Sequence, residues 1–384
     1  MTSHTNEFYN RLGVKRIINA ASWITVYGGS IMPPAVVESM NEASRWFIDL
    51  HELNQKAGEV IARLTGAEAG LVTAGSAAGM VLESAACIAG ADPAKIWQLP
   101  DTTGMKNEIV IHRAHRVNYD HSFRVTGAEL VEIGNTGTTH EWELEAAINE
   151  NTAAVAYVFG PRRGGALPLP KVVEIAHERD VPVIVDAAAM LPPPENLTKF
   201  IEQGADMVSF SGGKGVLGPQ STGILAGRAD LIEAAYANSA PNSEAIGRAA
   251  KVCKEEIAGL VTALELFVDT DFDAVQAGWR AKSVHVADRL QDIDGLVVEL
   301  VEARPELDEP DNNTARARVH LTPSWTGPSL DDIARLLEEG DPGIRVRVSQ
   351  IDDSFSFIPV NVRDGEEEIV ANRLREILTL GERR

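Results

Sequence analysis

Short apolar runs alternate with stretches of helical spacing along most of this chain. Runs near residues 71, 109, 131, 155, 183 and 208 suit strands buried in a parallel sheet. They predict strands at Gly70–Ala74, Glu108–Ile111, Glu129–Ile133, Thr152–Val158, Val181–Val185 and Asp206–Phe210. Helical spacing predicts helices from Pro34 to about Leu50, over Leu53–Leu64, from Gly75 to Ala89, and over Val172–Glu178 and Leu197–Gln203. Strands separated by helices argue a layered α/β domain. After Gly218 a turn leads to a further strand, antiparallel to its neighbours, and a long helix is expected over Ser243–Val268. Leu296–Val301, Ala315–Leu321 and Gly343–Ser349 read as strands, and Trp279–Leu290, Leu330–Glu338 and Glu366–Leu380 as helices. The expected division is an N-terminal arm and helix (1–50), a large domain (51–242), a linking helix (243–270) and a smaller α+β domain (271–384).

Composition narrows the class of protein. Of 384 residues, 44% are hydrophobic and 24% charged, as in ordinary globular proteins with a sizeable core. The net charge of −21 disfavours nucleic acid or an anionic membrane as the main partner. No run of apolar residues is long enough to span a bilayer. Cys87 and Cys253 lack metal-ligand or CxxC spacing, and both are expected in the core. With no signal peptide in view, a reducing cytoplasm is the expected location.

The chemistry concentrates in residues 181–218. Asp186 follows one apolar run, and Lys214, in Ser211-Gly212-Gly213-Lys214-Gly215, follows the next. Both are placed at the carboxyl ends of strands, where open α/β sheets bind ligands. An Asp there is otherwise a helix cap, and a Lys in a glycine-rich loop a solvated charge. As a pair they suit pyridoxal phosphate: Lys214 as the Schiff-base lysine, and Asp186 as the partner that keeps the pyridine nitrogen protonated. A nucleotide P-loop is excluded, because Val208 and Gly215 stand where that motif needs Gly and Ser or Thr. Gly75-Ser76-Ala77 opens a helix directly after a strand, which suits an anion, and the G-x-G-x-x-G fingerprint is absent. His112 and His115 have no third ligand at suitable spacing, so no metal is expected. They read either as satisfied local side chains or, for His115, as a ring stacked on the cofactor. The basic loop at 160–166, with Arg162 and Arg163, is either solvated or an attractor for an anionic substrate. Arg248, Lys251 and Lys254 are either one basic helix face or ordinary surface charges.

With these residues in place the chain resembles fold-type I pyridoxal-phosphate enzymes. More closely, it is similar to the group that contains selenocysteine synthase (L-seryl-tRNA selenium transferase) and D-glucosaminate-6-phosphate ammonia-lyase. The resemblance lies in Ile18-Asn19-Ala20, Leu64–Glu68, Thr73–Gly79, Val185–Ala188, Ser209–Lys214 with Gly218-Pro219-Gln220, and Ile246–Arg248 through Ile257. It implies a large domain with a mostly parallel sheet plus a smaller C-terminal domain. It also implies Lys214 as the cofactor lysine, Asp186 as the ring-nitrogen partner, Gly75-Ser76-Ala77 as the phosphate loop and Ser211 as a further phosphate ligand. A homodimer or higher homo-oligomer is implied. Residues 19–29 themselves have little periodicity and several Gly, Ser and Thr, so Asn19 and Thr25 are expected to line the substrate site. Arg345, or else Arg347 or Arg363, would bind the substrate carboxylate. No tRNA-binding extension is evident, which with the acidic charge favours α,β-elimination from a small amino acid over selenium transfer. Racemase, aldolase and aminotransferase chemistry share its first steps, and a non-catalytic binding protein is the remaining alternative.

Overall fold

Val183-Ile184-Val185-Asp186 is buried at every position, and the large sheet is built outward from it. The protein is described here by a computed structural model covering residues 7–160, 164–307, 309 and 313–380. In chain order the strands are β1 (Ile17–Ala20), β2 (Ala69–Thr73), β3 (Glu108–His112), β4 (Glu129–Ile133), β5 (Thr152–Val158) and β6 (Val183–Asp186). They continue with β7 (Met207–Ser211), β8 (Gly223–Gly227), β9 (Leu296–Val301), β10 (Arg316–Leu321), β11 (Gly343–Ser349) and β12 (Ser354–Phe357). Two units result. Residues 30–270 form the larger, and residues 7–29 with 271–307 and 313–380 form the smaller.

The larger unit carries a seven-stranded sheet in the order β2-β8-β7-β6-β5-β3-β4. Strands β4, β3, β5, β6 and β7 run parallel, and β8 is antiparallel to both β7 and β2. The fold is therefore α/β with a mostly parallel large sheet. Strand β5, Thr152-Ala-Ala-Val-Ala-Tyr-Val158, is buried along its whole length, as a strand covered on both faces must be. Ile109, Ile111, Ile184, Met207 and Leu225 share one apolar cluster with Met80, Leu82, Ala85 and Ala89 of the helix Gly75–Ala89. That helix therefore covers the face of the sheet to which these strand residues point. Ser84 fastens its outer side, with its hydroxyl 2.7 Å from that of Thr126.

The smaller unit has a five-stranded sheet ordered β1-β11-β12-β10-β9. Only β1 and β11 pair in parallel; β11, β12, β10 and β9 alternate in direction. Its core joins Ile18 and Ile344 to Phe355, Phe357, Val370 and Leu374. The boundaries thus differ from those expected from the sequence. Residues 17–20 are a strand that pairs near the far end of the chain, whereas residues 30–50 group with the larger unit.

Two helices are shorter than their sequence pattern suggests. The helix from Pro34 stops at Ala43, and Asp49 instead caps the next helix by accepting from His51 N at 2.7 Å. The long helix begins at Lys254, not Ser243. Gly247 N donates to Asn238 O at 2.9 Å and holds the preceding stretch in turns, so Arg248, Lys251 and Lys254 form no helical face. Cys253, placed in the core from sequence, is exposed at the N-cap of that helix, and Cys87 is half-buried. No helix among the described residues is long and apolar enough to cross a membrane.

Ile18 is 1% exposed in a core of modest size. Ile18→Ala should cost about 2–5 kcal/mol. The loss should be local: amide exchange should accelerate in β11 and β12 while β5 to β7 keep their protection.

Candidate active site

Asp186 ends β6 and Ser209 lies beside it in β7, in parallel register. The Asp186 backbone is held from both sides. Its carbonyl accepts from Phe159 N at 2.8 Å, and Ala187 N donates to Ser209 O at 2.9 Å. Side chains alternate along a strand, so Asp186 shares its face with Ile184, and Ser209 shares its face with Met207. This is the face that the helix Gly75–Ala89 covers. The Asp186 side chain is 6% exposed. Oδ1 accepts from Ala188 N at 3.0 Å, and Oδ2 has no hydrogen-bond partner among the described residues. Burial pushes this carboxyl above the usual range; the Ala188 N–H and the charge of Lys214 act against it.

Lys214 follows β7 in a loop closed by its own backbone. Gly212 N donates to Thr222 O at 2.9 Å, Gly218 N to Gly212 O at 2.8 Å, and Leu217 N to Lys214 O at 3.0 Å. The glycines are required by close approach. A Cβ on Gly213 would overlap the Gln220 backbone, and one on Gly215 would overlap the carbonyl of Leu191. Lys214 is half-buried and makes no hydrogen bond or ion pair among the described residues. Burial lowers the affinity of its amine for a proton, and the nearby Asp186 charge partly restores it.

The third element is the start of the helix Gly75–Ala89. Gly75 takes φ of 80°, and Ala74, at the cap, provides no side-chain acceptor. The first N–H groups of a helix have no intrahelical partner and favour an anion. A Cβ on Gly223 would lie 2.5 Å from Gly75 C, so this turn packs directly on the start of β8. Ser76 is half-buried and Ala77 exposed, while Ser209 Oγ donates to Ser76 O at 3.3 Å. Ser211 is buried at the end of β7, its backbone N donating to Ala188 O at 3.4 Å. A half-buried unpaired amine, an open carboxylate oxygen and an uncapped helix start, all at one end of neighbouring strands, fit a small aromatic aldehyde bearing a phosphate.

The two histidines are held in a ring cluster. His115 Nδ1 accepts from Val158 N at 3.4 Å, and its ring lies 4.4 Å from Tyr157 and 4.8 Å from His112, centroid to centroid. His112 Nε2 accepts from Leu167 N at 3.3 Å, so the proton of the neutral ring sits on Nδ1, which has no partner. Among the described residues no group of three metal-ligating side chains lies together. The expected basic residues Arg162 and Arg163 lie outside the described residues.

The remaining expected site residues belong to the smaller unit and are already engaged there. Asn19, in β1, donates from Nδ2 to Ser22 O at 2.9 Å and accepts at Oδ1 from Ala21 N at 3.0 Å, so its side chain fastens the backbone that follows the strand. Thr25 begins a short 3-10 helix and is exposed. Arg345 is paired with Asn19 in the β1–β11 register; it contacts Glu338 and sits over the Tyr27 ring at 5.4 Å. Sequence reading missed Glu83 and Ser209. Glu83 is the lone charge in an otherwise small and apolar helix, a signal that was there to be used.

The family described as L-seryl-tRNA selenium transferase (SelA) matches residues 34–277. The chain belongs to that family. This SelA-family chain is 35% identical to the D-glucosaminate-6-phosphate ammonia lyase of Salmonella typhimurium, over 97% of its own length and 98% of that protein. It is 33% identical to a 5'-C-glycyluridine monooxygenase-decarboxylase from a Streptomyces species, over 98% and 93%. A solved structure of D-glucosaminate-6-phosphate ammonia-lyase superposes with a TM-score of 0.84 at 34% identity, covering 97% of this chain and 98% of that one. The SelA-family chain is an enzyme, and its relatives align it with lyase chemistry.

Burial lowers the His112 imidazole from its ordinary 6.5 to about 4. The folded state thus prefers the neutral ring. The stability this group contributes is complete above pH 6.5 and is lost as pH falls through about 4, up to about 3 kcal/mol. His112→Gln keeps an acceptor for Leu167 N and should flatten the stability profile over that window, as measured by denaturant unfolding at stepped pH. An unchanged acid limb would contradict the assignment.

Proposed function

We propose that the protein is a pyridoxal-phosphate-dependent lyase. Its substrate would be a 2-amino acid with a β-hydroxyl, and its products a 2-oxo acid and ammonia. The observation that carries this reading is the unpaired Lys214 amine beside the open Asp186 oxygen, at the carboxyl ends of β6 and β7. The relative named for D-glucosaminate 6-phosphate narrows the substrate class from a simple small amino acid to a phosphorylated sugar amino acid. The net charge of −21 argues against tRNA as the second reactant.

Lys214 would bond the aldehyde carbon, Asp186 Oδ2 would face the ring nitrogen, and Gly75, Ser76, Ala77 and Ser211 would hold the phosphate. His115 would pack against the ring. When bound, the cofactor supplies an electron sink for the pair left behind by the Cα proton. Lys214 is the group placed to take that proton, and burial, by lowering the amine's affinity for a proton, raises the share of it present as free base. Asp186, held in line by Ala188 N, would keep the ring nitrogen protonated. Elimination breaks the Cα–H and β-carbon–oxygen bonds. Lys214 would take the Cα proton and return it to the departing hydroxyl, which leaves as water, and the enamine product would take up water to give the 2-oxo acid and ammonia. Arg345 is the proposed carboxylate ligand, which requires it to exchange Glu338 for substrate.

We also place the enzyme in the cytoplasm, as at least a homodimer. The exposed Trp46, Phe47 and Ile48 between two helices of the larger unit support association.

Lys214→Ala should abolish turnover, by at least about a hundredfold, with the fold intact. Borohydride reduction of the wild type should fix the cofactor on Lys214; label on Lys251 or Lys254 would overturn the assignment. Asp186→Asn should retain bound cofactor and lose most activity, because an amide does not hold a ring proton as a carboxylate does. The substrate class is tested by screening D- and L-β-hydroxy amino acids, sugar amino acids and their phosphates for 2-oxo acid release. No turnover on any of them would sink the lyase reading.

A further inference from the structure

Glu83 lies in the helix Gly75–Ala89, is 0% exposed, and neither carboxyl oxygen has a hydrogen-bond partner. An ionised carboxylate in that state would be severely penalised by lost hydration. Its position has a definite direction. Gly79 lies one turn earlier and directly over Ser209, close enough that a Cβ would overlap the serine hydroxyl. Residues four apart share a helix face, so Glu83 also faces the sheet, on the side to which Asp186 points. Asp186 is the charged group that acts on it. Burial first, and then that negative charge, hold Glu83 well above the usual carboxylate range.

The other groups around it are accounted for. Strands β2, β5, β7 and β8, which pack on this helix, carry no charged residue. The helices packed on it bring Lys95, His121, Arg124, Asp230 and Glu233, all solvent-exposed, and the half-buried Tyr236. Cys87, one turn further along the same helix, is a thiol that burial pushes far above its usual range. Lys214 acts on Asp186.

We propose that Glu83 is a buried neutral acid that acts through Asp186. It keeps its proton while Asp186 is the single anion of the pair, and releases it to solvent hydroxide at alkaline pH. Its new charge then holds the proton on a ring nitrogen bound at Asp186. Glu83 is thus a positioning residue that extends the alkaline limit of the site, and this second part rests on the pyridoxal-phosphate reading above.

Two measurements test it. In cofactor-free protein labelled with ¹³C at the glutamate carboxyl, infrared spectra at pH 8 should show a protonated carboxyl that Glu83→Gln lacks. No such band in the wild type overturns the proposal, and that spectrum decides even if the variant fails to fold. In protein loaded with ring-¹⁵N pyridoxal phosphate, the nitrogen signal followed against pH should report ring deprotonation about one pH unit lower in Glu83→Gln than in wild type. Coincident titrations overturn the coupling to Asp186. Failure to bind pyridoxal phosphate would instead sink the functional reading, while the infrared result still decides the state of Glu83.

Discussion

A helix lying close on a strand, with no side chain of its own at the points of contact, is the packing on which the site depends. Gly79 sits over Ser209, and Gly75 sits against Gly223. A larger residue at these positions would lift the helix from the sheet. Its uncapped N-terminus would then move away from the strand ends that carry Asp186 and Lys214. The same contact sets the electrostatics. Close packing excludes water from the face beneath the helix, and burial there is the largest influence on Asp186, Glu83 and Lys214 alike.

The acidic chain as a whole and this site obey different rules. The net charge of −21 is spread over surface carboxylates that remain hydrated and screened. Beneath the helix the charges are few and strongly felt. A lysine with a weakened hold on its proton and a carboxylate with one open oxygen can be kept there only because the backbone of the Gly212–Thr222 loop and of Asp186 is already satisfied by hydrogen bonds. The polar side chains are thereby released from structural duty and remain available to a ligand.

Much of this was legible in the sequence, for identifiable reasons. Apolar runs bounded by turn residues located β3 to β7 closely, because strands buried on both faces need continuous Val, Ile and Ala. Asp186 and Lys214 stood out because charged residues immediately after such runs have few structural reasons to be there. Strand β1 was not read as one: its partner is β11, and pairing at that separation leaves no local trace. The break before Lys254 was missed because residues 243–253 have passable helical spacing, and only the contact of Gly247 with Asn238 shows that they turn. Asn19 was placed in the site from the composition of residues 19–29, and Arg345 from the family resemblance. Their local partners, Ser22 and Glu338, could not be seen without the fold.

The pairing of Ile17 with Gly343 bears on how the protein is made. A ribosome releases the β1 segment well before its partner strand, on the order of tens of seconds earlier. Residues 30–270 can assemble meanwhile, since every strand of their sheet finds its partners within that stretch. The smaller sheet has no such option: Ile17–Ala20 stays unpaired until β11 has been made. Over that interval the nascent chain carries an unpaired strand edge of the kind that pairs with other chains, and shielding it would favour the yield of folded enzyme.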